Sequence, residues 1–63
     1  MTFAEKLKSI RKQMGISQEL LAEKIGVSRQ AVTKWETDAG IPDIENILSI
    51  SNLFNISIDE LLS

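Results

Sequence analysis

Residues Ser17 to Glu36 read SQELLAEKIGVSRQAVTKWE, and this stretch decides the fold. Ser17 is a good N-cap, because its hydroxyl can accept from a free backbone N–H of a following helical turn. Leu21, Ala22 and Ile25 follow at helical spacing and supply one buried side. Gly26 ends that helix, where a positive φ costs glycine least. Ser28 offers a second cap only two residues later. So short a connection forces a sharp angle between the two helices, with Val27 plugging the corner.

The second of these helices has two unlike sides. Set Arg29 at zero and advance roughly 100° per residue: Thr33, Gln30 and Lys34 then lie near 40°, 100° and 140°. Ala31, Trp35 and Val32 lie near about 200°, 240° and 300°. The second set buries the helix. The first is a continuous polar strip of Arg, Gln, Thr and Lys without an acid. Arg can read guanine through a bidentate contact, and Gln can read adenine the same way. Arg29 and Gln30 open the helix, where a helix entering the major groove meets the bases. The bland alternative, a solvated helix face, usually carries mixed charge.

Working outward, Thr2-Phe3-Ala4-Glu5 fits a capping box that starts helix 1. Phe3, Leu7, Ile10 and Met14 form its core-facing stripe, and Gly15 stops it. The helix is expected over about 3–14. Thr37 to Pro42 is the one clear loop, punctuated by Gly40 and Pro42. Asp43 caps helix 4, whose stripe is Ile47, Ile50, Ser51 and Phe54, widened by Ile44 and Leu48. Asn55 can end it in a left-handed conformation. Ser57-Ile58-Asp59-Glu60 fits a second capping box for a short helix 5, packed through Ile58, Leu61 and Leu62. No segment alternates with period two long enough to be a strand. The expected fold class is all-α, a compact five-helix bundle in which helices 2 and 3 form a helix-turn-helix. Residues 1–63 are read as a single domain.

Composition removes much chemistry. The chain has no Cys and no His, so thiolate and imidazole ligands are absent, and so is the usual general base. Ser17, Ser28 and Ser57 are occupied as caps. Asp38, Asp43 and Glu45 do not match a calcium loop. No enzyme activity, metal or cofactor is expected. No signal peptide or membrane-length apolar run is visible, and a cytoplasmic location is the default. The net charge is −2, which taken whole argues against nucleic acid. Its distribution argues otherwise. Residues 1–34 carry seven cations and three acids, and residues 35–63 carry six acids and no cation. Such asymmetry points to a nucleic-acid face on one side; an uneven split by chance in so short a chain is the alternative.

Three further residues are weighed on position. Gln18 opens helix 2, where free N–H groups and the helix dipole favour a phosphate; it also fits an ordinary exposed first-turn residue. Trp35 is large enough to stack on a base, but its side of helix 3 assigns it to the core. Arg11 and Glu36 are placed to pair across helices 1 and 3.

At this point the sequence resembles the Cro/repressor type of helix-turn-helix domain, the lambda-repressor-like (XRE) fold. The resemblance covers nearly the whole chain. It rests on Ile16-Ser17-Gln18, the run Leu21 to Val32, Lys34-Trp35-Glu36, Pro42-Asp43-Ile44, Phe54-Asn55-Ile56-Ser57 and Asp59-Glu60-Leu61-Leu62. It implies a third helix in the major groove of double-stranded DNA. It implies DNA contacts from Gln18, Ser28, Arg29, Gln30, Thr33 and Lys34, and a structural salt bridge between Arg11 and Glu36. Arg29, Gln30 and Thr33 are then the base readers, and Gln18, Ser28 and Lys34 touch the backbone. Members are mostly bacterial or phage transcriptional regulators, often repressors, binding palindromic operators as dimers.

Two departures stand out. Thr37-Asp38-Ala39 carries an acid where the family usually has Gly or a base near phosphate. Leu20 replaces a residue that is often charged, which would suit an extra apolar contact with a second protein. The leading expectation is sequence-specific DNA binding by a homodimeric repressor without a membrane partner. Leu53, Leu62 and Ile41 are candidates for the dimer surface. A protein-interaction module that kept the fold is the second reading, motivated by the acidic half and Leu20. A third is that this domain belongs to a longer regulator with a linker and a sensor or dimerisation domain.

Overall fold

The computed structural model describes residues 1–63. Each helix starts where a short polar side chain can hold a free backbone N–H of the first turn. The helices are α1 (Phe3–Gln13), α2 (Gln18–Ile25), α3 (Arg29–Glu36), α4 (Ile44–Phe54) and α5 (Ile58–Leu62). Thr2, Ser17, Ser28, Asp43 and Ser57 are the N-caps, each accepting from the N–H three residues on. The Thr2 box is complete, because the Thr2 N–H also donates to Glu5. The Ser57 box is only half formed: Glu60 N–H donates to the Ser57 hydroxyl, but the Glu60 carboxylate does not reach back. No strand is present.

Gly26 closes α2 at φ 76°, and Val27 N–H then reaches Ala22 C=O at 2.9 Å. That left-handed residue lets Ser28 begin α3 at once and turns the chain sharply. Asn55 serves the same purpose after α4, at φ 55°. After α3 the left-handed residue is Asp38, at φ 62°, although Gly40 lies two residues on. Asp tolerates this conformation better than most side chains. Ala39 N–H then bonds back to Lys34 C=O at 2.9 Å.

Leu7, Leu21, Val32, Ile50 and Leu61 are fully buried, one from each helix. Ala22, Trp35 and Phe54 complete the centre, and Phe3, Ile10, Ile16, Ile25, Val27 and Ile47 pack around it. No helix can be lifted out without opening this core. α3 lies against both α2 and α1, α4 against α2, and α5 against α1 and α4. The recognition candidate is therefore clamped on two flanks.

The structure corrects four details. Met14 is 55% exposed and caps α1, which ends one residue earlier than expected. Ala4, Leu7 and Arg11 are the buried residues of α1, so the stripe is rotated and includes a charge. Ile44 and Leu48 are exposed, at 60% and 44%. They lie about 60° and 100° around α4 from Ile47, and farther still from Ile50 and Phe54. Leu62 is also half exposed, while Leu53 packs against the core. Of the three expected dimer-surface residues, Ile41 and Leu62 are exposed and Leu53 is partly buried.

Candidate nucleic-acid interface

Ser28 starts α3 by accepting from Ala31 N–H at 3.1 Å. The helix buries Val32 and Trp35. By helical geometry the opposite side must face solvent. Arg29, Gln30, Thr33 and Lys34 are all exposed there and rim one shallow concavity. The side chains of Arg29, Gln30 and Lys34 make no hydrogen bond or ion pair within the chain. Their donors and acceptors are wholly available to a partner. No carboxylate lines this concavity.

A second depression adjoins the first. Arg11, Ser17, Gln18, Glu19 and Arg29 line it. Gln18 stands at the first position of α2, beside the Ser17 cap. It is half buried and engaged on both sides. Its Nε2 donates to Glu36 Oε1 at 3.0 Å, and its Oε1 accepts from the Thr33 hydroxyl at 3.0 Å. An acceptor-only carboxylate on one side fixes which way this amide faces. One Nε2–H remains free.

Behind Gln18 lies the only salt bridge in the chain. Arg11 Nε donates to Glu36 Oε2 at 2.7 Å, and Nη2 donates to Oε1 at 3.0 Å. The Arg11 Nη1 donates to Ile16 C=O at 2.8 Å. The pair is bidentate and shielded, with side-chain exposures of 10% for Arg11 and 1% for Glu36. Burial opposes ionisation of Glu36. Hydrogen bonds from Arg11 and Gln18, with the charges of Arg11 and Lys8, outweigh it and hold the carboxyl below its ordinary value. The Glu36 hydrogen bond raises Arg11 further, against burial. Both groups stay charged at neutral pH. No buried side-chain polar atom lacks a partner.

The structure thus joins α1, α2 and α3 through Arg11, Glu36, Gln18 and Thr33. The sequence reading placed Arg11 opposite Glu36 but missed the extension to Gln18 and Thr33. Residue 18 and residue 36 come from different helices, so no helical spacing signals their meeting. It also missed Glu19, an acid at the edge of the otherwise basic second depression. No group of His, Cys, Asp or Glu is placed to hold a metal ion.

A helix-turn-helix family model matches residues 7–61. The chain belongs to the helix-turn-helix family. The resemblance to Cro/repressor-type domains pointed to the same group. Among its curated relatives, the HTH-type transcriptional activator BcrR of Enterococcus faecalis is 48% identical over 63 residues, spanning 100% of this chain and 31% of that protein. The cryptic phage CTXphi transcriptional repressor RstR of Vibrio cholerae is 38% identical over 61 residues, spanning 97% of this chain and 54% of that one. The chain thus spans between about a third and about half of these helix-turn-helix relatives. A crystal structure of the P22 c2 repressor protein with the synthetic operator 9T superposes with a TM-score of 0.95 at 33% identity. It covers 100% of this chain and 96% of that one.

Proposed function

We propose that this chain binds double-stranded DNA sequence-specifically, as the DNA-binding domain of a transcriptional regulator, with α3 in the major groove. One observation carries the reading: an acid-free, concave face of Arg29, Gln30, Thr33 and Lys34, in which three side chains have no partner. Arg29, Gln30 and Thr33 read bases. Lys34, Ser28 and the free Nε2–H of Gln18 meet backbone phosphate. The superposition on a repressor solved with an operator supports this docking.

Repression is the favoured mode, supported by the phage repressor among the relatives. A transcriptional activator is also among the relatives. With few cations, one domain binds weakly. Two copies on a palindromic site, with half-sites about 34 Å apart, supply the missing affinity. The domain acts in the cytoplasm without catalysis or cofactor; no helix is long and apolar enough to cross a membrane.

Selection from a random duplex pool tests the reading. A two-fold symmetric consensus with steep salt dependence is the expected result. Failure to enrich any sequence refutes it. The second reading, a protein-interaction module, is favoured by exposed Leu20, Ile41, Ile44 and Leu48. It gains ground if the pool yields nothing and a purified partner binds independently of salt.

A further inference from the structure

Thr33 is the one base-reading candidate whose hydroxyl proton is already committed. Its hydroxyl donates to Gln18 Oε1 at 3.0 Å and to its own helix, at Arg29 C=O, at 3.1 Å. Both acceptors are carbonyl oxygens, and a hydroxyl has a single proton. That proton is shared within the protein. Gln18 cannot release it by turning its amide, because Nε2 is held by Glu36, which is itself locked by Arg11. Turning would set the Gln18 oxygen against a carboxylate. Thr33 is nonetheless exposed, between Arg29 and Gln30 on the concave face. With the hydroxyl turned toward α2 and back along α3, the methyl occupies another staggered position on Cβ. The hydroxyl has no proton left to donate to the groove, although its oxygen can still accept, and the methyl is the apolar group Thr33 offers there.

In the major groove, the apolar feature is the 5-methyl group of thymine. 5-Methylcytosine carries the same group at the same place. We propose that Thr33 selects a 5-methylpyrimidine through its own methyl, with Gln18 as the positioning residue that keeps the hydroxyl proton out of the readout. This rests on the DNA-binding reading above. It deepens that reading by naming the chemistry at one base pair.

The test starts by finding the base pair whose preference flattens in Thr33→Ala. The 63-residue protein is then titrated by fluorescence polarisation against matched duplexes. One pair differs by thymine against uracil at that position, the other by 5-methylcytosine against cytosine. Removing the pyrimidine methyl should weaken the parent protein about fourfold, the weight of one methyl group taken from water. Thr33→Val keeps the methyl and should keep the discrimination. Thr33→Ser keeps the hydroxyl and should lose it. The proposal is overturned if the parent ignores the methyl, if Thr33→Ser discriminates and Thr33→Val does not, or if Thr33→Ala flattens no position. A protein that binds none of these duplexes refutes the DNA-binding reading itself, which separates that failure from a wrong assignment of Thr33.

Discussion

Removing Glu36 by Glu36→Ala should cost more than any exposed ion pair could. The carboxylate is 1% exposed and accepts three hydrogen bonds, two from Arg11 and one from Gln18. Its loss leaves a guanidinium, 10% exposed, without its counter-charge. Breaking a buried pair from one side costs about 3–5 kcal/mol. Arg11 borders an open depression and keeps its bond to Ile16, so water relieves it and about 3 kcal/mol is the working value. A chain of this length has roughly 3–9 kcal/mol in total. At about 1 kcal/mol per molar urea, the midpoint should fall by roughly 3 M. Trp35 is the single tryptophan and is buried, so its fluorescence follows the transition directly. The double variant Arg11→Met with Glu36→Leu should be more stable than Glu36→Ala, since apolar replacement of both partners removes the stranded charge. A midpoint shift worth under about 1 kcal/mol, the range of surface pairs, would refute the description of this bridge as buried and structural.

Glu36 has its folded value held below the ordinary 4.5, so its contribution is present above that pH and is lost as pH falls through the lower folded value. Urea midpoints between pH 7 and pH 3 should therefore drop at the acid end, and Glu36→Gln should blunt the drop. Gly26→Ala meets no atom within 4 Å but must hold φ +76°, so calorimetry should show a loss of about 1–2 kcal/mol from backbone strain alone. Leu7→Ala empties a fully buried site and should cost about 2–5 kcal/mol in the same assay. Lys34→Ala should weaken binding to every duplex alike and lower the slope of log affinity against log salt by about one.

The fold was largely legible because each helix carries its own start signal. Thr2, Ser17, Ser28, Asp43 and Ser57 all cap as their side chains suggest. Gly26 and Asn55 stop their helices by a conformation that few other residues take cheaply. Trp35 belongs to the core by helical phase, and it is buried. Phase was less use at the ends of the stripes. Met14, Ile44 and Leu48 are apolar and near the right arc, yet they stay exposed. An apolar residue is a necessary sign of the core and not a sufficient one. Asp38 takes the left-handed turn although Gly40 lies two residues on, and Ala39 N–H bonds back to Lys34 C=O.

The face of α3 could be drawn from Arg29, Gln30, Thr33 and Lys34 alone, because a single helix repeats every 3.6 residues. What those residues still have to offer could not. Gln18 and Thr33 look alike in sequence to free polar groups, yet each spends hydrogen bonds inside the protein. Only the packing of α2 on α3 reveals that expense. It separates Arg29, Gln30 and Lys34, whose side chains are free, from Thr33, whose hydroxyl is not.

The most direct measurement concerns Arg29. Binding of the parent and of Arg29→Ala should be compared on the selected duplex and on all of its single base-pair variants at fixed salt. The parent should lose about 1–3 kcal/mol when one guanine-bearing pair is changed, and Arg29→Ala should be indifferent to that pair alone. An unchanged preference profile in Arg29→Ala would contradict the placement of α3 against the bases.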